Sequence, residues 1–152
     1  MTTTSLVFAL TLALQITSAP ASVVPPSHVQ ELVKPILDLC AKANVSQAEH
    51  HTAFLEAEGL TGKLFQDKTR SSDEALVVLM NFYIGEATGE DVLHHVTVRG
   101  KRMLPLLLKY RDASVIFAKR DYASIRLGVD VRKETFDDAI KSIKAGKIIG
   151  ED

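Results

Sequence analysis

The sequence predicts an all-α protein, a compact bundle of five to six helices that follows a cleaved signal peptide. Three observations carry this. Apolar residues recur every three to four positions over most of the chain, the period of a helix with one face buried. Ser27/Gln30, Ser46/Glu49 and Ser71/Glu74 each complete a capping box, the pairing that satisfies the free amides of a helix start. The run Ala75–Ile84 is apolar at every position except Asn81, as befits a helix surrounded by others.

Residues 1–21 read as the signal peptide. Met1–Thr4 is short and polar, Leu6–Ile16 is mostly apolar, and Ala19-Pro20-Ala21 offers small residues at the two positions a signal peptidase inspects before Ser22. The apolar run is too short to span a bilayer. Cleavage leaves residues 22–152 as a single helical domain, long enough to bury roughly two-thirds of its unfolded surface. The removed segment holds no charged residue, so the formal charge of −1 and all five histidines belong to the exported part. Near-neutral charge gives no electrostatic basis for binding nucleic acid. The ending Gly150-Glu151-Asp152 is neither a retention signal nor a lipid-anchor tail.

The first helix starts at Ser27 after Pro25-Pro26. Val29, Leu32, Val33, Ile36, Cys40 and Ala43 share one face, and the stripe keeps its phase across Pro35, which predicts one kinked helix rather than two. A second helix is expected from Ser46 to Gly59, with a connector over 60–70. The third begins at Ser71 and continues into the apolar run, with Gly85 and Gly89 ending or bending it. Val92, Leu93, Val96, Met103, Leu104, Leu107 and Leu108 then outline two helices with a polar joint at Arg99-Gly100-Lys101-Arg102, Pro105 falling in the first turn of the second. Val115, Ala118, Tyr122 and Ile125 suggest a further amphipathic helix. The alternation Ile125, Leu127, Val129, Val131 competes with it, so the alternative fold is α+β with a short strand pair near 114–117 and 125–131. The last helix has Glu134, Asp137 and Asp138 early, Lys141 and Lys144 late, and Gly146 after it, matching the helix dipole.

Candidate chemistry is sparse. Cys40 is the only cysteine, so no intramolecular disulfide forms, and its apolar neighbours predict a buried thiol. Asn44-Val45-Ser46 is an N-glycosylation acceptor, expected in a loop between two helices. His51, His94 and His95 are weak metal-ligand candidates, with Glu90 and Asp91 one turn before His94 and His95. An ordinary helix-surface pair explains the same spacing, and no His-Glu-x-x-His or clustered Cys/His pattern accompanies it. Gly59-Leu60-Thr61-Gly62-Lys63 lacks the spacing of a phosphate loop, and Gly-x-Ser-x-Gly is absent. Arg99, Lys101 and Arg102 fit the Arg-x-Lys-Arg pattern of secretory-pathway cleavage. A shared core on both sides of them predicts instead an uncut, solvated interhelical turn with Gly100 as its cap.

These readings lead to one expectation and one alternative. The expectation is a secreted, extracellular, non-enzymatic glycoprotein that binds a partner protein, without cofactor or metal. The alternative is an extracellular carrier of a small apolar ligand such as a fatty acid, its cavity lined from Leu76, Val78, Leu79, Met80, Phe82, Met103, Leu107 and Phe117.

Overall fold

A computed structural model describes residues 21–151. The signal peptide therefore lies outside the described residues except for Ala21. Among the described residues the chain forms six α-helices and a two-stranded sheet, in the order β1 (Ala21–Val23), α1 (Ser27–Val45), α2 (His50–Gln66), α3 (Arg70–Leu79), α4 (Glu86–Arg99), α5 (Leu104–Arg111), β2 (Ala113–Val115) and α6 (Val129–Lys144), with 3₁₀ turns at Gly100–Met103 and Ala123–Ile125. This is the predicted helical bundle. No described helix is long and apolar enough to cross a membrane.

α1 runs unbroken through Pro35 and buries Val29, Val33, Ile36, Leu37, Cys40, Ala41 and Ala43. Ser27 is its first helical residue rather than its cap. Gln30 Nε2 donates to the Pro25 carbonyl at 2.7 Å instead of closing a capping box.

α2 departs from expectation at both ends. It starts at His50 and passes through Gly59 and Gly62 to Gln66. The glycines fail to stop it because Ala53, Ala57, Thr61 and Leu64 prolong a buried stripe of mostly small side chains, along which α2 packs on α1. The Thr61 hydroxyl donates back to the Ala57 carbonyl at 2.7 Å. A Cβ at Gly59 or Gly62 would meet nothing within 4 Å. Gly59→Ala and Gly62→Ala are each expected to stabilise the fold by about 0.5–1 kcal/mol, read as a raised midpoint in urea.

α3 is the centre of the bundle, packing against α1, α2, α4 and α5. Its cap is Thr69, which accepts from the Ser72 amide at 3.3 Å, and not Ser71. Ala75–Leu79 are wholly buried. The helix ends at Leu79, short of Ile84, where Asn81 Nδ2 donates to the Val77 and Val78 carbonyls at 3.3 and 3.1 Å. Residues 80–84 continue as buried irregular chain, save for exposed Tyr83.

The expected helix over 115–125 is absent, and so is the strand pair of the α+β alternative. β2 pairs in parallel with β1, in register Ala21↔Ala113, Ser22↔Ser114 and Val23↔Val115. Residues 116–122 are loop, pinned by side chains rather than by a helical ladder. Phe117 and Tyr122 pack edge-on at 5.3 Å, both rings lie about 6 Å from Phe82, and the Tyr122 hydroxyl donates to Asp38 at 2.8 Å. The alternating residues 125–131 yield one isolated bridge, Phe82↔Arg126, and then the first turn of α6. α6 starts five residues before Glu134 and ends in the bond pattern of a Schellman motif: Gly146 N–H to the Ile143 carbonyl and Lys147 N–H to the Ser142 carbonyl, with Gly146 at φ 68°.

Candidate binding site: an apolar groove with acidic edges

The early end of α3 creates the site. Because the chain leaves the helix at Leu79 and re-enters one at Glu86, the segment between them lies open along α4. Gly85 makes the turn at φ 92°, in the left-handed region that L side chains rarely adopt, and a Cβ there would touch the Phe54 ring at 3.4 Å. Only glycine suits that position.

A cleft of about 650 Å³ opens here. Leu79, Met80, Phe82, Ile84 and Val92 supply buried wall, while Tyr83, Leu93, Leu127 and Val131 reach the surface. A smaller cleft of about 270 Å³ adjoins it, sharing Tyr83, Gly85 and Glu86 and continuing over His50, His51, Phe54, Leu55 and Glu58. Phe54 packs edge-on between His50 at 4.7 Å and Tyr83 at 6.1 Å, which fixes the shared wall. The two clefts together form one groove. Its charged lining residues are carboxylates, Glu58, Glu86 and Glu90, and among the described residues no Lys or Arg lines it.

Of the eight residues expected to line a cavity, Leu79, Met80 and Phe82 line this groove, and Phe117 lines a separate cleft of about 330 Å³. Leu76, Val78, Met103 and Leu107 instead fill the core. The sequence gives no sign of Tyr83, Leu127 and Val131 as groove residues, because they come together only through the fold.

The metal-ligand candidates are not assembled into a site. Among the described residues no group of three or more His, Cys, Asp or Glu side chains is placed to hold a metal ion. His51 lines the smaller cleft. His94 Nδ1 is 2.9 Å from the Ile149 carbonyl, and His95 stacks on Phe65 at 4.0 Å with its Nδ1 buried and unpartnered. Burial, with His94, Lys68 and Arg99 nearby, lowers the pKa of His95, against a smaller opposing effect of Asp91. Glu90 edges the groove, and Asp91 is exposed outside it.

Cys40 is fully buried as a free thiol, and burial pushes its pKa from the ordinary value near 9 up to about 12. Native protein is therefore expected to resist a thiol reagent at neutral pH and to react fully once unfolded in guanidinium. Fast stoichiometric labelling of folded protein would contradict this placement. Asn44 lies in the last turn of α1 rather than in a loop, exposed, with Nδ2 donating to the Ser124 carbonyl at 3.2 Å.

The basic cluster departs most from expectation. Gly100 does cap α4, at φ 74°. Arg99, however, is not solvated: its side chain is 1% exposed. Its Nη1 donates to Asp73 at 2.6 Å and Ser72 at 2.9 Å, and its Nη2 to the carbonyls of Leu64, Asp67 and Phe65 at 2.8, 2.7 and 3.4 Å. One guanidinium thus holds the end of α2 and the start of α3 against α4. Arg102 adds a half-exposed contact to Asp73 at 2.9 Å, and Lys101 is exposed.

No family model, curated protein or solved structure matches this chain.

Proposed function

We propose that this chain is a secreted, non-enzymatic binding protein whose groove receives an apolar-faced segment of a partner protein. The observation that carries the reading is the groove itself: apolar through its larger cleft, mixed over the His50–Glu58 end, open to solvent, and edged by carboxylates. A helix laid in such a groove buries its apolar face, and Lys or Arg on its flanks meets Glu58, Glu86 and Glu90. Carriage of a fatty acid is the weaker reading, because its carboxylate would face like charges.

Fluorescence anisotropy with two amphipathic helical peptides of equal hydrophobicity, one with basic flanks and one with acidic flanks, tests the reading. The basic peptide is expected to bind and the acidic one to fail. The double variant E86K/E90K is expected to weaken binding by about tenfold or more without loss of fold. Displacement of a fluorescent fatty acid, with no preference between the peptides, would overturn the reading in favour of a carrier.

Export belongs to the same proposal and rests on residues 1–21. With it go three separate expectations: a mature chain starting at Ser22, a glycan on Asn44 in a eukaryotic host, and an intact joint at 99–102. Buried Arg99 argues against cleavage there, since a convertase must engage that side chain in an extended segment. Intact mass of the secreted protein, before and after glycosidase, reads all three.

A further inference from the structure

A second cavity, of about 450 Å³, adjoins the start of α6 and shares only Leu127 with the groove. Arg126, Arg132 and Lys133 line it against one carboxylate, Asp112, and Ser114 lines the same space. Arg132 is the informative member, because it is only 8% exposed. Its Nη1 serves the carbonyls of Tyr110, Arg111 and Ala113, while Nε and Nη2 have no protein acceptor among the described residues. Arg126 gives one nitrogen to Asp121 and the Val115 carbonyl, and Lys133 forms no salt bridge among the described residues. Asp112 is engaged by Arg111 at 2.8 Å through one oxygen. α6 enters from Gly128, which offers no side-chain cap, so the amides of its first turn add to the positive field, offset in part by exposed Asp130 in the same turn.

We propose that this cavity binds a small phosphate monoester. The dianion meets three cations and the open end of a sixteen-residue helix. The volume lies in the range of small-molecule sites, leaving room for an organic part against Leu127 and Val129. The free Asp112 oxygen is an acceptor for a hydroxyl on that part.

The test is a two-dimensional amide NMR titration of the protein with glycerol 3-phosphate, inorganic phosphate and glycerol, each against sodium chloride at matched ionic strength. Glycerol 3-phosphate is expected to shift the amides of Ser114, Val129 and Asp130 saturably, and more tightly than inorganic phosphate, while glycerol has no effect. Lys133→Glu, at an exposed position, is expected to weaken binding by about tenfold or more with an unchanged spectrum elsewhere. Absence of saturation, the same shifts with chloride, equal affinity for inorganic phosphate, or full binding by Lys133→Glu would each overturn the assignment. The peptide experiment on the groove reads a different surface, so either proposal can fail alone.

Discussion

Arg99→Ala is expected to destabilise the fold by about 3–5 kcal/mol, the cost of breaking a buried ion pair by removing its buried partner. The side chain is almost wholly buried, and its removal leaves buried Asp73 with only the half-exposed Arg102 and strands carbonyls at the end of α2. Three helices lose their common tie at once. In a chain of this size that corresponds to a fall in Tm of about 10 °C or more, measurable by circular dichroism. Arg99→Lys is expected to rescue little, because an ammonium cannot bridge Asp73 and the α2 carbonyls as a planar fork does. Arg102→Ala, removing a half-exposed partner of the same carboxylate, is expected to cost less than about 1 kcal/mol. Pairing Arg99→Met with Asp73→Leu should recover much of the loss, since the poorly paired buried carboxylate then disappears. A fall in Tm for Arg99→Ala no larger than that for Arg102→Ala would refute the assigned role.

Arg132→Ala is expected to cost about 3 kcal/mol, the range for losing hydrogen bonds from a charged donor to buried acceptors. Arg132 lies one turn into α6, yet it closes the end of α5 by donating to the carbonyls of Tyr110, Arg111 and Ala113 at 3.0, 2.6 and 3.2 Å. α5 has only eight residues and depends on that closure. The carbonyls lead directly into β2, which carries β1. Hydrogen exchange should therefore quicken selectively over residues 110–115 and in Val23, ahead of any change in α1 or α3. Uniform quickening across the molecule, or none, would show that the end of α5 does not depend on Arg132.

Much of the helical content was legible in the chain itself. The 3.6-residue period marked α1, α4 and α6, the apolar run marked the central helix, and the position of Pro105 marked the start of α5. These signals are local: each reports that one face will be buried, without saying against what. Errors arose where local and tertiary preferences disagreed. Gly59 and Gly62 read as a stop, but burial of Ala57, Thr61 and Leu64 against α1 outweighs about 1 kcal/mol for each glycine. Residues 115–131 carry both helical and alternating spacing, and aromatic packing around Phe82 decided the outcome.

The sequence by itself determined a predominantly helical chain with one free, apolar-flanked thiol and near-neutral charge, because composition and periodicity are properties of the chain before it folds. The tertiary structure alone decided what the charged and aromatic residues do. Arg99 looked like part of a solvated basic turn and became a buried tie, because the end of α2 and Asp73 converge on it from about 26 to 35 residues away. Tyr83, Leu127 and Val131 became one groove with Glu86 and Glu90 because α3 stops at Leu79 and α6 starts at Val129, bringing distant segments to one opening. Contacts of that sequence separation leave no periodic trace, so only the folded chain could reveal them.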